Sequence, residues 1–250
     1  MTLKDCGFVS VRSFKEMEAA LTINPAISLE QKVTNGTPYM LAKNVLSNPD
    51  AFVELLKEYP AYDYSEKIWL TPGHIHGYRQ RIDSIEVAPL IHMWHIMYAR
   101  LSGIITPFSV RDWFTATNIY NADTKVNMLP HHDAAKTSYV GNLCLSKGIP
   151  SAGLGFYALK IGEKRFTKFS DLNEEEVKRF NEIDNECRSK PYPWKPWKPN
   201  PYWELYLTLP NDNNTSYLYD GNYFHQGIYD DEHRKQLRYS LISFRNEGKK

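Results

Sequence analysis

The feature that most constrains this chain is a change of periodicity near residue 110. Beyond that point come short runs rich in β-branched and aromatic residues, divided by turn-forming residues, which is the pattern of a sandwich or barrel. Strands are predicted near residues 113–121, 137–145, 153–160, 204–209, 215–219, 222–228 and 237–245, enough to close a jelly roll. Before residue 110 the signals are helical. Ser13-Phe14-Lys15-Glu16 reads as a capping box, and Asn48-Pro49-Asp50 as a cap with Pro in the first turn. A third helix is predicted over residues 88–101, where Ile91, Trp94, His95, Tyr98 and Leu101 share one face. The expected class is mainly β, with a jelly-roll core and helices packed on the outside of a sheet.

Between residues 161 and 203 the strand pattern is interrupted. Asn173-Glu174-Glu175-Glu176 opens a charged helix running to about Arg188, because the Asn side chain and an acidic first turn satisfy free backbone amides. The run from Pro191 to Pro201 then reads as extended, since Pro excludes both helix and central strand. As an insertion joining two barrel strands, this stretch is expected to overhang the barrel's open end. Trp194 and Trp197 within it either pin a rigid connector, burying ring area at little entropy cost, or form part of a substrate lid. One domain is expected: residues 1–110 as a mostly helical cover, and residues 111–250 as the jelly-roll core with 161–203 as its insertion.

Charge and cysteine usage narrow the class. The 30 Lys and Arg against 29 Asp and Glu give a net charge of +1, so no global field holds a polyanion and nothing in the charge points to nucleic acid. Cys6, Cys144 and Cys187 lack C-x-x-C spacing, which suggests neither a disulfide framework nor a zinc knuckle; a reducing cytoplasm is expected. No stretch approaches about eighteen apolar residues, and Met1-Thr2-Leu3-Lys4-Asp5 precedes no apolar run, so neither membrane spanning nor secretion is expected.

The chemistry-bearing residues are His131 and Asp133 in Leu129-Pro130-His131-His132-Asp133, His225 in Tyr223-Phe224-His225-Gln226-Gly227, and Arg238 with Ser240 in Leu237-Arg238-Tyr239-Ser240-Leu241. Two imidazoles and one carboxylate can occupy one face of an octahedral ion and leave three positions open, the arrangement of non-heme Fe(II) oxygenases. His-x-Asp alone recurs by chance; order, spacing and context raise it here. In an alternating strand Arg238, Ser240, Ile242 and Phe244 share one face, so Arg238 and Ser240 are placed to hold one carboxylate. Arg234 is a rival, although Asp230-Asp231-Glu232-His233-Arg234 reads as a solvated turn.

This order of motifs resembles the Fe(II)/2-oxoglutarate-dependent dioxygenases. Asn118-Ile119-Tyr120 ahead of the His-x-Asp, and Gly153-Leu154-Gly155-Phe156-Tyr157 after it, are most similar to the prolyl-hydroxylase-like branch and its microbial and phage relatives. The resemblance spans roughly residues 113–246 and leaves the first hundred unmatched. It implies a double-stranded β-helix with the metal at its open end, and Fe(II) held by His131, Asp133 and His225. It also implies 2-oxoglutarate as cosubstrate with its far carboxylate on Arg238 and Ser240, and dioxygen as oxidant. Tyr120 is a further cosubstrate candidate and Asn118 a pocket-lining one; for Tyr120 core packing is the alternative, and Asn142 is open in the same way. The halogenating relatives carry Gly or Ala in place of the carboxylate, so Asp133 argues for hydroxylation.

Other residues weigh less. His74-Ile75-His76 has metal-like spacing without an acidic or Cys partner nearby in sequence. His92 and His95 on the third helix read as packing, and His132 as pointing away from the metal. Arg79 and Arg81 either hold a substrate carboxylate or lie on an exposed face. The expected substrate is a free amino acid or similar small polar metabolite; a peptidyl side chain is the second choice, and a catalytically silent ligand-binding jelly roll is the alternative from another class.

Overall fold

The computed structural model describes residues 14–58, 62–63, 78–120, 129–133, 139–147, 153–190, 195–228 and 238–245. At residues 14, 15, 17, 58, 62, 63, 78–81, 117–120 and 238 only the backbone is described.

Twelve strands and four helices follow one another among the described residues: α1 (Phe14–Ala20), β1 (Ser28–Thr34), β2 (Thr37–Lys43), α2 (Pro49–Glu58), β3 (Tyr62–Asp63), β4 (Tyr78–Ile82), α3 (Ala88–Ser102), β5 (Trp113–Tyr120), β6 (Tyr139–Cys144), β7 (Gly153–Ile161), β8 (Lys164–Phe166), α4 (Glu174–Arg188), β9 (Trp203–Pro210), β10 (Thr215–Asp220), β11 (His225–Ile228) and β12 (Arg238–Arg245). The larger, antiparallel sheet has the order β1-β2-β10-β6-β12-β5-β4-β3. In the smaller sheet β7 pairs with β11, β8 and β9. A backbone bridge between His131 and His225 adds the segment around His131 beside β11. Strands of the C-terminal half thus alternate between two facing sheets, the jelly-roll arrangement.

Alternation along each strand sorts side chains into three cores. The outer face of the larger sheet, with Met40, Ala42, Leu143, Leu218, Tyr239 and Leu241, packs on α3 through Leu90, Ile91, Trp94 and Met97. Helix α3 starts with Pro in its first turn and ends on Gly103 at φ 73°, a left-handed cap that suits glycine. Between the sheets lie Tyr39, Leu41, Val140, Leu154, Phe156, Leu207, Tyr217 and Tyr219. The outer face of the smaller sheet packs Tyr157, Leu159 and Trp203 against Phe180, Ile183 and Cys187 of α4.

Three expectations are amended. Residues 1–110 are not simply a helical cover, because β1, β2, β3 and β4 extend the larger sheet on both sides. The β1–β2 hairpin turns through Asn35 and Gly36, both at positive φ, the turn chemistry that matches strand twist. Second, the 161–203 insertion does not overhang the barrel in its helical part: Asn173 and Glu176 form a reciprocal capping box, and α4 lies across the smaller sheet's outer face. Third, the Pro-rich run is not extended throughout. Lys198 N–H reaches Lys195 O at 3.0 Å. The Asn200 amide donates to Pro196 O and Lys198 O and accepts from the N–H groups of Tyr202 and Trp203, gathering backbone groups that Pro leaves unpaired.

Candidate metal centre

The first residue of β11 and the His-x-Asp segment are sewn together by the backbone. His131 N–H donates to His225 O at 3.0 Å and His225 N–H to His131 O at 2.8 Å, while Asp133 N–H donates to Gly221 O at 2.8 Å. These bonds bring two residues far apart in sequence side by side, with ring centroids 4.6 Å apart and planes tilted by 52°. Each ring is then oriented by the chain two residues before it: His131 Nδ1 lies 3.1 Å from Leu129 O, and His225 Nδ1 lies 2.9 Å from Tyr223 O. A carbonyl only accepts, so both rings carry a proton on Nδ1; in the neutral ring Nε2 then holds the lone pair, and in the imidazolium form, with no metal bound, Nε2 of His225 donates to Asp133. Anchoring one nitrogen to a carbonyl is how metal-binding histidines are commonly fixed.

Asp133 completes the set. Its Oδ2 lies 3.2 Å from His225 Nε2, and one ligand atom from each of His131, Asp133 and His225 lies within 4.8 Å of the others. Burial pushes the Asp133 carboxyl up, but the hydrogen bond from His225 and the charges of His225, His131 and His132 outweigh it, holding the group down at about 2. It is therefore a carboxylate at neutral pH. Its side chain is 21% exposed against 5% for His225, so the cluster is reachable from solvent. Two oriented imidazoles and one ionised carboxylate are the donor set that an Fe(II) ion accepts on one face.

A second layer of contacts braces this triad, and the sequence reading did not find it. His132 turns away from the triad and stacks on Phe169, centroids 3.7 Å apart and planes 13° apart. The turn that supplies Gly221 O and Tyr223 O is clasped by the same segment. Phe169 N–H donates to Asn222 O at 3.0 Å, the Asn222 amide donates to Ser170 Oγ at 2.7 Å, and Phe224 N–H donates to Thr167 O at 3.0 Å. Lys168 lies 3.6 Å from Asp220 and 4.5 Å above the Tyr223 ring. Phe169 and Phe180 lie 36 and 47 residues beyond Asp133, so no local motif in the sequence joins them to it.

On the opposite wall, the register of the larger sheet sets Arg238 opposite Tyr120, Ser240 opposite Asn118, and Asn118 opposite Arg79; Arg81 pairs with Ala116. Ser240 is 2% and Asn142 8% exposed, and Ser240 Oγ donates to Asn142 Oδ1 at 2.6 Å. Both belong to the face of the sheet that looks toward the smaller one, with Ile242 and Phe244 packed on the core between the sheets. The side chains of Arg238, Tyr120, Asn118, Arg79 and Arg81 lie outside what is described, as do His74, His76, Trp194 and Arg234 altogether. Trp197 does not join the triad; it packs against the outer core under α4. His92 and His95 pack on Phe108, with centroids 4.9 and 5.5 Å away. Among the described residues no helix is long and apolar enough to cross a membrane.

No protein-family description matches this chain, and no curated protein matches it. Solved structures do. The fold is similar to that of the non-heme α-ketoglutarate-dependent carbocyclase SnoK from nogalamycin biosynthesis, at 11% identity and a TM-score of 0.50 over 82% of this chain and 78% of that one. The epimerase SnoN from nogalamycin biosynthesis matches at 12% identity and a TM-score of 0.46 over 82% and 76%. HygX from Streptomyces hygroscopicus, with nickel and 2-oxoglutarate bound, matches at 10% identity and a TM-score of 0.45 over 85% and 84%. At such identities the likeness is one of fold, and the chain has the double-stranded β-helix.

Proposed function

We propose that this chain is an Fe(II)- and 2-oxoglutarate-dependent oxygenase that hydroxylates an unactivated C–H bond, with a free amino acid or similar small polar metabolite as substrate. The observation that carries the reading is the triad itself: His131 and His225, each locked by Nδ1 to a backbone carbonyl, converging with an ionised Asp133. His131 and His225 would hold the metal through Nε2 and Asp133 through a carboxylate oxygen. Bound there, Fe(II) supplies activation of dioxygen coupled to oxidative decarboxylation of 2-oxoglutarate to succinate and carbon dioxide.

The protein's own share of the work is placement and charge. One carboxylate against a divalent ion leaves the site net positive, which attracts an anionic α-keto acid. Arg238 begins the strand whose same face carries Ser240, and a guanidinium meets a carboxylate with two parallel hydrogen bonds. The Ser240–Asn142 bond fixes a buried hydroxyl and amide beside that position, giving polar walls where the rest of the inter-sheet core is apolar. Tyr120, opposite Arg238 in the register, is assigned to the same cosubstrate, and Asn118, Arg79 and Arg81 to the substrate side. The presence of a carboxylate at position 133 supports hydroxylation over halogenation.

The test is succinate release from 2-oxoglutarate by anaerobically Fe(II)-loaded protein on exposure to air, with and without a pool of free amino acids. Succinate that rises with the pool and vanishes in Asp133→Ala is the expected result. Stoichiometric iron binding with no succinate under any substrate would instead favour a silent binding module.

A further inference from the structure

Strand β12 carries a second arginine that the metal centre does not use. Arg245 lies seven positions after Arg238 and therefore on the other face, toward α3. It is 7% exposed. Its guanidinium carbon sits 3.7 Å from the centre of the Tyr98 ring. Its one hydrogen bond among the described residues is a long contact, 3.4 Å from Nη2 to Thr106 Oγ1, and its buried Nε has no partner. None of the ion pairs among the described residues involves it.

On the same rung Arg245 is flanked by Trp113 of β5 and Tyr139 of β6. Trp113 is 3% exposed, and its indole nitrogen is likewise without a partner. Both groups are donors only. A buried guanidinium that meets no carboxylate among the described residues is costly, and the cation–π contact with Tyr98 offsets only part of that cost. The rung is therefore short of a negatively charged acceptor. The loop between α3 and β5, in which Ile104, Ile105 and Phe108 are exposed, meets this rung through Thr106, whose Oγ1 contacts Arg245 and whose O lies 3.0 Å from His95 Nε2.

We propose that Arg245 and Trp113 form a carboxylate-binding site on the outer face of the larger sheet, separate from the metal centre. The Nε and Nη2 edge of the guanidinium offers two parallel donors, matching the two oxygens of a carboxylate, and the indole N–H adds a third donor from the neighbouring strand. A singly charged carboxylate fits better than a phosphate dianion, because bringing a second charge into a site this buried raises the desolvation cost, and no second cation meets it among the described residues.

The test uses the full chain, 15N-labelled, with chelator present and Arg238→Met in the background so that carboxylate binding at the proposed cosubstrate pocket is silent. The protein has 6 Trp, and the indole N–H signal of Trp113 is identified by its loss in Trp113→Phe. Butyrate titrated against chloride at constant ionic strength is expected to move that signal saturably in the millimolar range. Arg245→Lys, which keeps the charge and loses the two-donor edge, weakens the binding by about tenfold or more, and Arg245→Met abolishes the shift. A Trp113 signal that does not move saturably with butyrate overturns the site. So does an equal shift in Arg245→Lys, which serves alone if Arg245→Met does not fold. Inorganic phosphate binding as tightly as butyrate overturns the carboxylate assignment. None of these outcomes depends on whether the metal centre turns over.

Discussion

The two faces of the larger sheet are made by the same strands and are built to opposite ends. Toward the helices, Met40, Ala42, Leu143, Leu218 and Leu241 form a mainly aliphatic layer, tight enough that a Cβ on Gly141 would lie 2.7 Å from the Trp94 indole. Toward the smaller sheet, alternate positions of the same strands are Tyr39, Tyr217 and Tyr219, with the buried Ser240 and Asn142 hydrogen-bonded to each other. Around Trp94 the first face is closed by packing, its unpartnered polar groups among the described residues being confined to the Arg245–Trp113 rung at the strand ends; the second keeps polar groups in the middle of a protein interior, where they cost free energy unless something pairs with them. The difference teaches that the packing under α3 and the wall facing the metal centre are separable by strand parity, and variants on each face test this.

The largest effect is expected from Asp133→Ala. It removes the one anionic ligand of the triad, so Fe(II) binding and succinate formation should both be lost while the thermal midpoint of the metal-free protein is held. Measuring iron stoichiometry beside the melting curve checks both halves; retained iron in the variant would break the assignment of the triad.

On the closed face, Trp94→Ala should be the converse. Trp94 is fully buried and its indole donates to Ser216 Oγ at 2.8 Å, so truncation leaves a cavity and an unpaired hydroxyl and should cost about 3–5 kcal/mol in a denaturant titration. Metal affinity of the folded fraction should not change. Arg238→Ala is the smaller, sharper test of the open face: the apparent 2-oxoglutarate constant should rise by about an order of magnitude or more, since a carboxylate would lose a charge-assisted bidentate partner. An unchanged constant would move the role to another cation, Arg234 first.

Much of this division was legible in the sequence, for definite reasons. The strands of the jelly roll announce themselves through β-branched and aromatic runs, and β12 in particular reads as a clean alternation from Arg238 to Arg245. Helix α4 was legible from Asn173 and three glutamates because a cap is a local chemical event. The four N-terminal strands were not read. Asn35-Gly36 is a strong hairpin signal, yet β1 is largely polar, Ser-Leu-Glu-Gln-Lys-Val-Thr, as suits a strand at the sheet's edge, and it lacks the apolar alternation that marks an interior strand. The triad's ligands were legible as residue types in order. The brace around them was not, because the Phe169–His132 stack and the Asn222–Ser170 bond join segments with no shared motif, and only the fold brings them together. The unpaired Arg245 and Trp113 were hidden for a related reason: the lack of a partner is a property of three dimensions.

That brace yields the smallest expected effect. Phe169 stacks on His132, which sits between two ligands, and its N–H holds the turn that carries Gly221 O and Tyr223 O. Phe169→Ala leaves the backbone bond in place and removes the stack. The pair His131 and Asp133 would then keep its backbone bonds and the His131–Leu129 contact but lose the stacked support between them, and small angular freedom at the ligands lowers affinity without abolishing it. Co(II) affinity, followed through its visible absorption, is expected to fall severalfold, up to about tenfold. Phe169→Tyr keeps the stacked ring and should restore the affinity. A loss of stability with Co(II) affinity and spectrum unchanged would mean that the stack serves the outer core and does not position the ligands, and the line between closed packing and open site would then run between Phe169 and the triad.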